Sequence, residues 1–308
     1  MNAPLNLEAV RDIAAETGIR PSFIEKDWHA VQLLTRLASF ENSKGVSLLF
    51  SGGTSLSKGY GLIKRFSEDL DFILVSTSPL SESQRRALRQ EILAYVVADG
   101  RFEIDDNDVL RGDSHRFFKA PIRYTVAFPD AALRPYLQLE MTFTENKATI
   151  NHCSIRSIIA DVAGTEAETS MSCISPIETA ANKLSALTWR VLARDRTAAH
   201  DDPTMIRHLH DLAALETLIA KAADNFVLIA KHALEQDRTR RVGDAIATLP
   251  DSERLAQALA QIKEDTLYNQ EYSNFVTTMS YADDADRIDF TGALAALDRI
   301  VALYLSST

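Results

Sequence analysis

Residues 48–72, LLFSGGTSLSKGYGLIKRFSEDLDF, decide how this chain is read. Leu48, Leu49 and Phe50 form an apolar run that predicts a buried strand, and the run stops at Ser51-Gly52-Gly53-Thr54. Paired glycines let backbone approach a bulky anion with no Cβ in the way. The turn opens a predicted helix, whose free N–H groups favour a phosphate. Asp69 and Asp71 then stand two apart among Leu70, Phe72, Ile73, Leu74 and Val75, which predicts a second strand. Residues i and i+2 of a strand share a face, about 6.6 Å apart along the chain. Two carboxylates so placed can share divalent metal ions, and two-metal phosphoryl-transfer sites hold their ions about 3.5–4 Å apart. A lone Gly-Gly is ordinarily a turn, and a lone Asp-x-Asp is ordinarily a solvated strand edge. The two in this order, a phosphate cradle followed by paired acids, point to nucleotidyl transfer.

Outward from this stretch, helices are expected over residues 5–17 and 22–40, with Pro21 near the start of the second. Ser22 and Glu25 have the spacing of a capping box. Residues 81–97 form an amphipathic helix with Ser81 as its candidate cap. Strands are expected over 101–109 and 115–128, joined by the turn-prone Arg111-Gly112-Asp113-Ser114, and again over 134–144. From Pro176 onward, alanine and leucine at helical spacing dominate, and residues 291–305 form an amphipathic closing helix. Residues 161–175 are small and acidic and read as a linker. The expectation is a mixed α/β domain over residues 1–165, with N-terminal helices, followed by a helical domain over 170–308.

Composition narrows the classes. Of 308 residues, 46% are hydrophobic and 25% charged, ordinary for a soluble globular chain with a sizeable core. No apolar run approaches the roughly 20 residues of a membrane helix. The start, MNAPLNLEAVRD, has neither a basic region nor an apolar signal core, so a cytoplasmic protein is expected. Cys153 and Cys173 are expected to be free thiols, and they have no zinc spacing with each other or with the seven histidines. A net charge of −10 argues against a general nucleic-acid binder but leaves room for a local basic groove. Arg85, Arg86 and Arg89 form one candidate cluster, and Arg238, Arg240 and Arg241 another. Each is either an RNA contact or a solvated helix face.

Three segments together resemble the AbiEii-type nucleotidyltransferase toxins of bacterial toxin–antitoxin and abortive-infection systems. The first holds Gly52-Gly53-Thr54-Ser55-Leu56, Tyr60, Arg65 and Ser67-Glu68-Asp69-Leu70-Asp71. The second, Pro176-Ile177-Glu178-Thr179-Ala180-Ala181-Asn182-Lys183-Leu184-Ser185-Ala186-Leu187, is similar to the family's lysine helix. The third, Arg207-His208-Leu209-His210-Asp211-Leu212, is similar to its Arg-x-x-x-Asp-Leu segment. The likeness spans about residues 23–212. Residues Thr54 to Glu68 separate Gly53 from Asp69, a longer gap than is usual in the wider polymerase-β-like superfamily. The resemblance implies that superfamily's fold, a mixed sheet followed by a helical domain.

Read this way, Asp69 and Asp71 are metal ligands and catalytic acids. Glu140, an acid among Tyr136, Leu137, Leu139, Met141 and Phe143, is costly to bury unpaired and so needs a metal, a base or a salt bridge. Nucleotidyltransferases of this fold often use such a third acid to activate the acceptor hydroxyl; otherwise Glu140 is a half-exposed strand residue. Gly52, Gly53, Thr54 and Ser55 would hold phosphates through N–H and hydroxyl donors. Lys58 and Arg65 would add charge at the triphosphate, Arg65 with the support of the family pattern. Ser67 would contact phosphate or an acid, or cap the strand. Lys183, alone in an apolar helix, is either a snorkelling lysine or, as the resemblance implies, the amine that meets the nucleotide phosphates across a cleft. Asp211 would orient Lys183 or act near the metals. Arg190 follows Lys183 by seven residues, on the same helix face, and would serve phosphate or acceptor. His208 and His210 are given no catalytic role.

The expected activity is Mg2+- or Mn2+-dependent transfer of NMP from NTP. The resemblance further implies a growth-inhibiting toxin with a separate antitoxin, and an RNA acceptor, tRNA in particular. Two rival readings stay open: transfer to a protein hydroxyl or small molecule, which the net acidity favours, and a non-catalytic nucleotide-binding module, against which Asp69, Asp71 and Lys183 weigh.

Overall fold

The computed structural model describes residues 4–42, 44–144, 149–199, 201–240 and 245–307. It divides into two units, Met1–Gly61 with Phe66–Ile174, and Leu62–Arg65 with Ser175–Thr308.

The first unit begins with α1 (Leu7–Thr17), capped by the Asn6 side chain and stopped by left-handed Gly18. Helix α2 (Pro21–Ala38) starts on proline and has no side-chain cap. The expected Ser22/Glu25 capping box does not form. The Ser22 hydroxyl donates instead to Asp130 at 2.7 Å, and Glu25 accepts from the Ala127 and Phe128 N–H groups at 2.6 and 2.9 Å. Because α2 is buried nearly all round, its polar side chains are taken up by neighbouring loops. Strand β1 (Val46–Ser51), helix α3 (Gly52–Lys58) and strand β2 (Asp69–Ser76) follow. Helix α4 (Glu82–Val97) carries a full capping box from Ser81 and Gln84.

The expected strand over 101–109 reduces to an isolated bridge at Glu103 and a 3-10 turn, Asp106–Asp108. The Asp105 side chain accepts the Asn107 N–H at 2.9 Å, and such local bonds compete with a sheet ladder. Strands β3 (Leu110–Gly112) and β4 (Phe117–Arg123) are joined through Asp113, Ser114 and His115, all at left-handed φ. Then come β5 (Tyr136–Thr144), β6 (Ile150–Ile155), α5 (Ile158–Ala163) and β7 (Thr169–Ile174). The stretch read as a linker therefore holds the second half of a helix and a whole sheet strand. Its small polar residues, TSMSCI in β7, hide a strand that pairs in parallel with β1 at Phe50 and Cys173.

The sheet runs β3-β4-β5-β2-β1-β7-β6 and is mixed, with β2 antiparallel to β1 and parallel to β5. One face is apolar. Leu70, Phe72 and Leu74 of β2, with Leu139 and Met141 of β5, share a core with Leu33, Leu34, Leu88 and Ile92 of α2 and α4. The alternate residues of β2, Asp69, Asp71 and Ile73, face the other way.

The helical unit contains α6 (Pro176–Leu192), α7 (Arg207–Lys221), α8 (Ala223–Arg240), α9 (Asp251–Glu264), α10 (Leu267–Met279) and α11 (Phe290–Ser306). Ser175 caps α6, which packs against α7, α8 and α9. Residues Leu62–Arg65 belong to this unit: Arg65 bridges Ser280, and the Lys64 carbonyl accepts the Tyr281 N–H at 3.1 Å. No described helix is long and apolar enough to cross a membrane.

Candidate active site

In the first unit the candidate chemistry lies on the face of β2 opposite the apolar core. Register places Ser51 of β1, Asp71 of β2, Glu140 of β5 and Lys119 of β4 in one row across the sheet. Asp69 lies two residues back on the same face, beside Gln138. Backbone bonds pin the two acids from below. The Thr54 hydroxyl donates to the Asp69 carbonyl, and the Ser51 hydroxyl donates to the Asp71 carbonyl at 3.2 Å.

Gly52 turns the chain from β1 into α3 at φ +75°, directly against the Asp71 carboxylate. A Cβ built there would stand 2.0 Å from Asp71 Oδ2. Glycine is required twice over, by its left-handed conformation and by this approach.

Asp69 accepts from Arg134 Nη2 at 2.7 Å, and the same guanidinium lies 3.4 Å from Glu68. Glu68 also accepts the Arg134 N–H at 2.8 Å and pairs with the Lys26 ammonium, which α2 holds almost wholly buried. The sequence reading missed Arg134, Lys26 and Glu68 as supports of Asp69. One signal was present: Arg134 stands two residues before β5, the parallel neighbour of β2, and so at the strand end where Asp69 sits.

Other candidate residues fall elsewhere. Thr54 and Ser55 are buried, and their hydroxyls donate to the Asp69 and Gly52 carbonyls. Lys58 pairs with buried Asp27, which also accepts the Ile158 N–H at 2.6 Å. This lysine ties α3 to α2. Burial pushes the Asp27 carboxyl up, against the Lys58 charge. Ser67 is half-buried, one residue before Glu68. Tyr60 donates to the Ile174 carbonyl at 3.0 Å.

Glu140 pairs with Lys119 at 2.5 Å. Among the described residues, no group of three or more His, Cys, Asp or Glu side chains is arranged to hold a metal ion. Asp69, Asp71 and Glu140 of the expected metal set share one face of the sheet, and Glu140 is held there by its own cation. Asp69 and Asp71 offer only carboxylate oxygens, the donors that Mg2+ and Mn2+ prefer. The Arg134 guanidinium already occupies one of those oxygens with positive charge.

Within the helical unit, Arg65, Lys183 and Asp211 form a buried trio. Arg65 Nε and Nη2 donate to the two Asp211 oxygens at 2.6 Å each, and Lys183 Nζ lies 2.6 Å from Asp211 Oδ2. Arg65 is 2% exposed and Asp211 0%. Burial alone would raise the Asp211 carboxyl, but the Arg65 and Lys183 charges reverse this and hold it well below its ordinary value. Burial pushes the Lys183 ammonium down, with Asp211 opposing and Arg65 adding to the fall. His208 is held well below its ordinary value by burial and by the Lys183 charge. Arg190 lies at the surface, 3.3 Å from Asp202.

Of the two arginine clusters, the first is no solvated face, since Arg85 and Arg89 are buried. In the second, Arg238 pairs with Glu235 at 2.7 Å, while Arg241 and the Arg240 side chain lie outside the described residues.

The sequence model of the family described as "Nucleotidyl transferase AbiEii toxin, Type IV TA system" matches residues 32–300. Among solved structures, MenT4, a nucleotidyltransferase toxin from Mycobacterium tuberculosis H37Rv, is 18% identical with a TM-score of 0.48, over 98% of this chain and 99% of that one. No curated protein sequence matches the chain.

Proposed function

Because the chain belongs to the AbiEii nucleotidyltransferase toxin family of toxin–antitoxin systems, we propose that it is a metal-dependent enzyme that moves NMP from an NTP to a hydroxyl of an RNA acceptor. The observation that carries this chemistry is the pair Asp69 and Asp71 on one face of β2, with Gly52 packed on one and Arg134 bonded to the other.

The two carboxylates would hold Mg2+ or Mn2+, which when bound neutralise the triphosphate and lower the pKa of the attacking hydroxyl. Asp69 and Asp71 are held in place through their backbone carbonyls by Thr54 and Ser51, so little reorganisation precedes the reaction. The Gly52 and Gly53 backbone, at the turn from β1 into α3, takes the phosphates through its N–H groups. In the transfer, a bond forms between the acceptor oxygen and the α-phosphorus, the α–β bridge breaks, and pyrophosphate leaves. Glu140, in register with Asp71 and oriented by Lys119, receives the acceptor's proton. Lys183 is proposed to add charge for the nucleotide phosphates, with Asp211 and Arg65 fixing its amine.

The acceptor class follows the family resemblance, with tRNA the first candidate, growth inhibition the result and a cognate antitoxin the control. The cytoplasm supplies both NTP and RNA. The net charge of −10 favours a second reading, transfer to a protein or small-molecule hydroxyl. Incubation with each α-labelled NTP, Mg2+ and either purified tRNA or cell protein separates the two. Label on tRNA supports the first reading; label on protein alone replaces it with the second.

A further inference from the structure

The other face of the sheet carries a feature with no part in this chemistry. Where α4 passes the β3–β4 hairpin lies a cleft of about 610 Å³. Arg111 stands opposite Phe118 in register, so both lie on the face that α4 covers, away from Asp69 and Asp71. Arg86, Arg89, Arg111 and His115 form the cleft's basic side, and Asp106 is the one carboxylate among its lining residues. Leu93, Val97 and Ile104 form an apolar wall. The size is that of a small-molecule site.

The basic side is under-compensated. Arg89 is 5% exposed, yet its Nε is buried without a hydrogen-bond partner. Its Nη1 lies 2.8 Å from His115 Nδ1, and since a guanidinium only donates, that nitrogen is the acceptor. Burial, then the Arg111 and Arg86 charges, push the Arg89 guanidinium down from its ordinary value. Arg86 is exposed and makes no ion pair among the described residues. In a chain of net charge −10, three arginines converging on one cleft are not an average surface.

The hairpin is also held in a costly shape. Asp113, Ser114 and His115 sit at φ of 47°, 49° and 62°, a left-handed run without glycine. Arg85 Nη2 donates to the Ser114 carbonyl at 2.9 Å and fixes the turn, which returns His115 to the cleft. Strain that surrounding structure maintains is often found at ligand sites.

We propose that this cleft binds a phosphate-bearing small molecule of nucleotide size. Arg86, Arg89 and Arg111 take the phosphate, and Leu93, Val97 and Ile104 cover its less polar part. Guanidinium forks suit phosphate oxygens, and a mixed basic and apolar lining suits a nucleoside monophosphate better than a bare anion.

Titration calorimetry of the full chain, in buffer with EDTA and no divalent ion, tests this with three probes: AMP, inorganic phosphate and adenosine. AMP is expected to bind, phosphate to bind more weakly, and adenosine not to bind. Arg86→Gln and Arg111→Gln, both at exposed positions, should each weaken AMP at least tenfold with melting temperature unchanged. Asp71→Asn should leave AMP affinity as it is. The proposal is overturned if AMP does not bind, or if the doubly substituted chain binds it normally. A change of AMP affinity in Asp71→Asn, in either direction, would assign the binding to the other face and equally overturn the proposal. A single-stranded oligonucleotide that binds through these arginines where AMP does not would replace the small molecule with an RNA backbone.

Discussion

Gly52 is where one atom decides most. Alanine there would need a left-handed backbone and would drive its Cβ into the Asp71 carboxylate, meeting Oδ2, Cγ and Cβ at 2.0, 2.7 and 2.9 Å. The whole Asp71 side chain must turn away. Gly52→Ala should therefore cost about 100-fold or more in transfer, for a stability loss of about 1–3 kcal/mol. Rate and melting temperature measured on one preparation check both figures. Asp211 presents a different case, a fully buried carboxylate paired with both Arg65 and Lys183. Asp211→Asn strands two buried cations and should destabilise the fold by about 3–5 kcal/mol in denaturant titration. Its carboxyl is held well below the ordinary 3.8, so its stabilisation is present above that pH and lost as pH falls below it toward the folded value. The difference between wild type and variant should accordingly shrink on acidification. Gly52 and Asp71 were legible in the sequence because both stand in one short segment with its own turn and strand signals. Arg134 was not, because its bond to Asp69 joins positions 65 residues apart and exists only once β5 pairs with β2.

Among the elements, α2 shows why local signals mislead in a buried helix. Glu25, Lys26 and Asp27 are consecutive and all buried, and each serves a different partner: the N–H groups at 127 and 128, Glu68, and Lys58. Capping spacing at Ser22 and Glu25 was present, but tertiary partners outcompeted it. At Ser81 and Gln84, on an exposed helix start, nothing competed and the box formed. Strands β6 and β7 escaped notice because small polar residues carry little strand propensity and their pairing is mostly with each other. Helix α2 also carries a pH response. His29 stacks on Tyr124 at 4.0 Å, and burial, with the Arg101 charge, lowers its pKa from 6.5 to about 4. Between those values the unfolded chain takes a proton that the folded chain refuses, so stability falls as pH drops from 6.5 toward 4. The loss is of the order of 3 kcal/mol. His29→Phe keeps the stacking and should remove that part of the slope in urea titrations across this window.

For the whole molecule, the residues singled out for chemistry divide between two units: Gly52, Asp69, Asp71 and Glu140 in one, and Arg65, Lys183 and Asp211 in the other. Arg65 belongs with the helices although its place in the sequence is between α3 and β2. A pattern of types along the chain carries no such assignment. If Lys183 serves the nucleotide, Lys183→Ala should raise KM for NTP about tenfold or more in chain that remains folded. Normal kinetics in the folded fraction, with only melting temperature reduced, would make Lys183 structural. The most direct test of the account is transfer from α-labelled NTP, with Mg2+ and total cellular RNA, by wild type and by Asp71→Asn. The account predicts labelled product from wild type and a loss of about 1000-fold or more, roughly 4 kcal/mol at the transition state, in a variant whose melting temperature is unchanged. A folded Asp71→Asn chain that labels acceptor at the wild-type rate would contradict it.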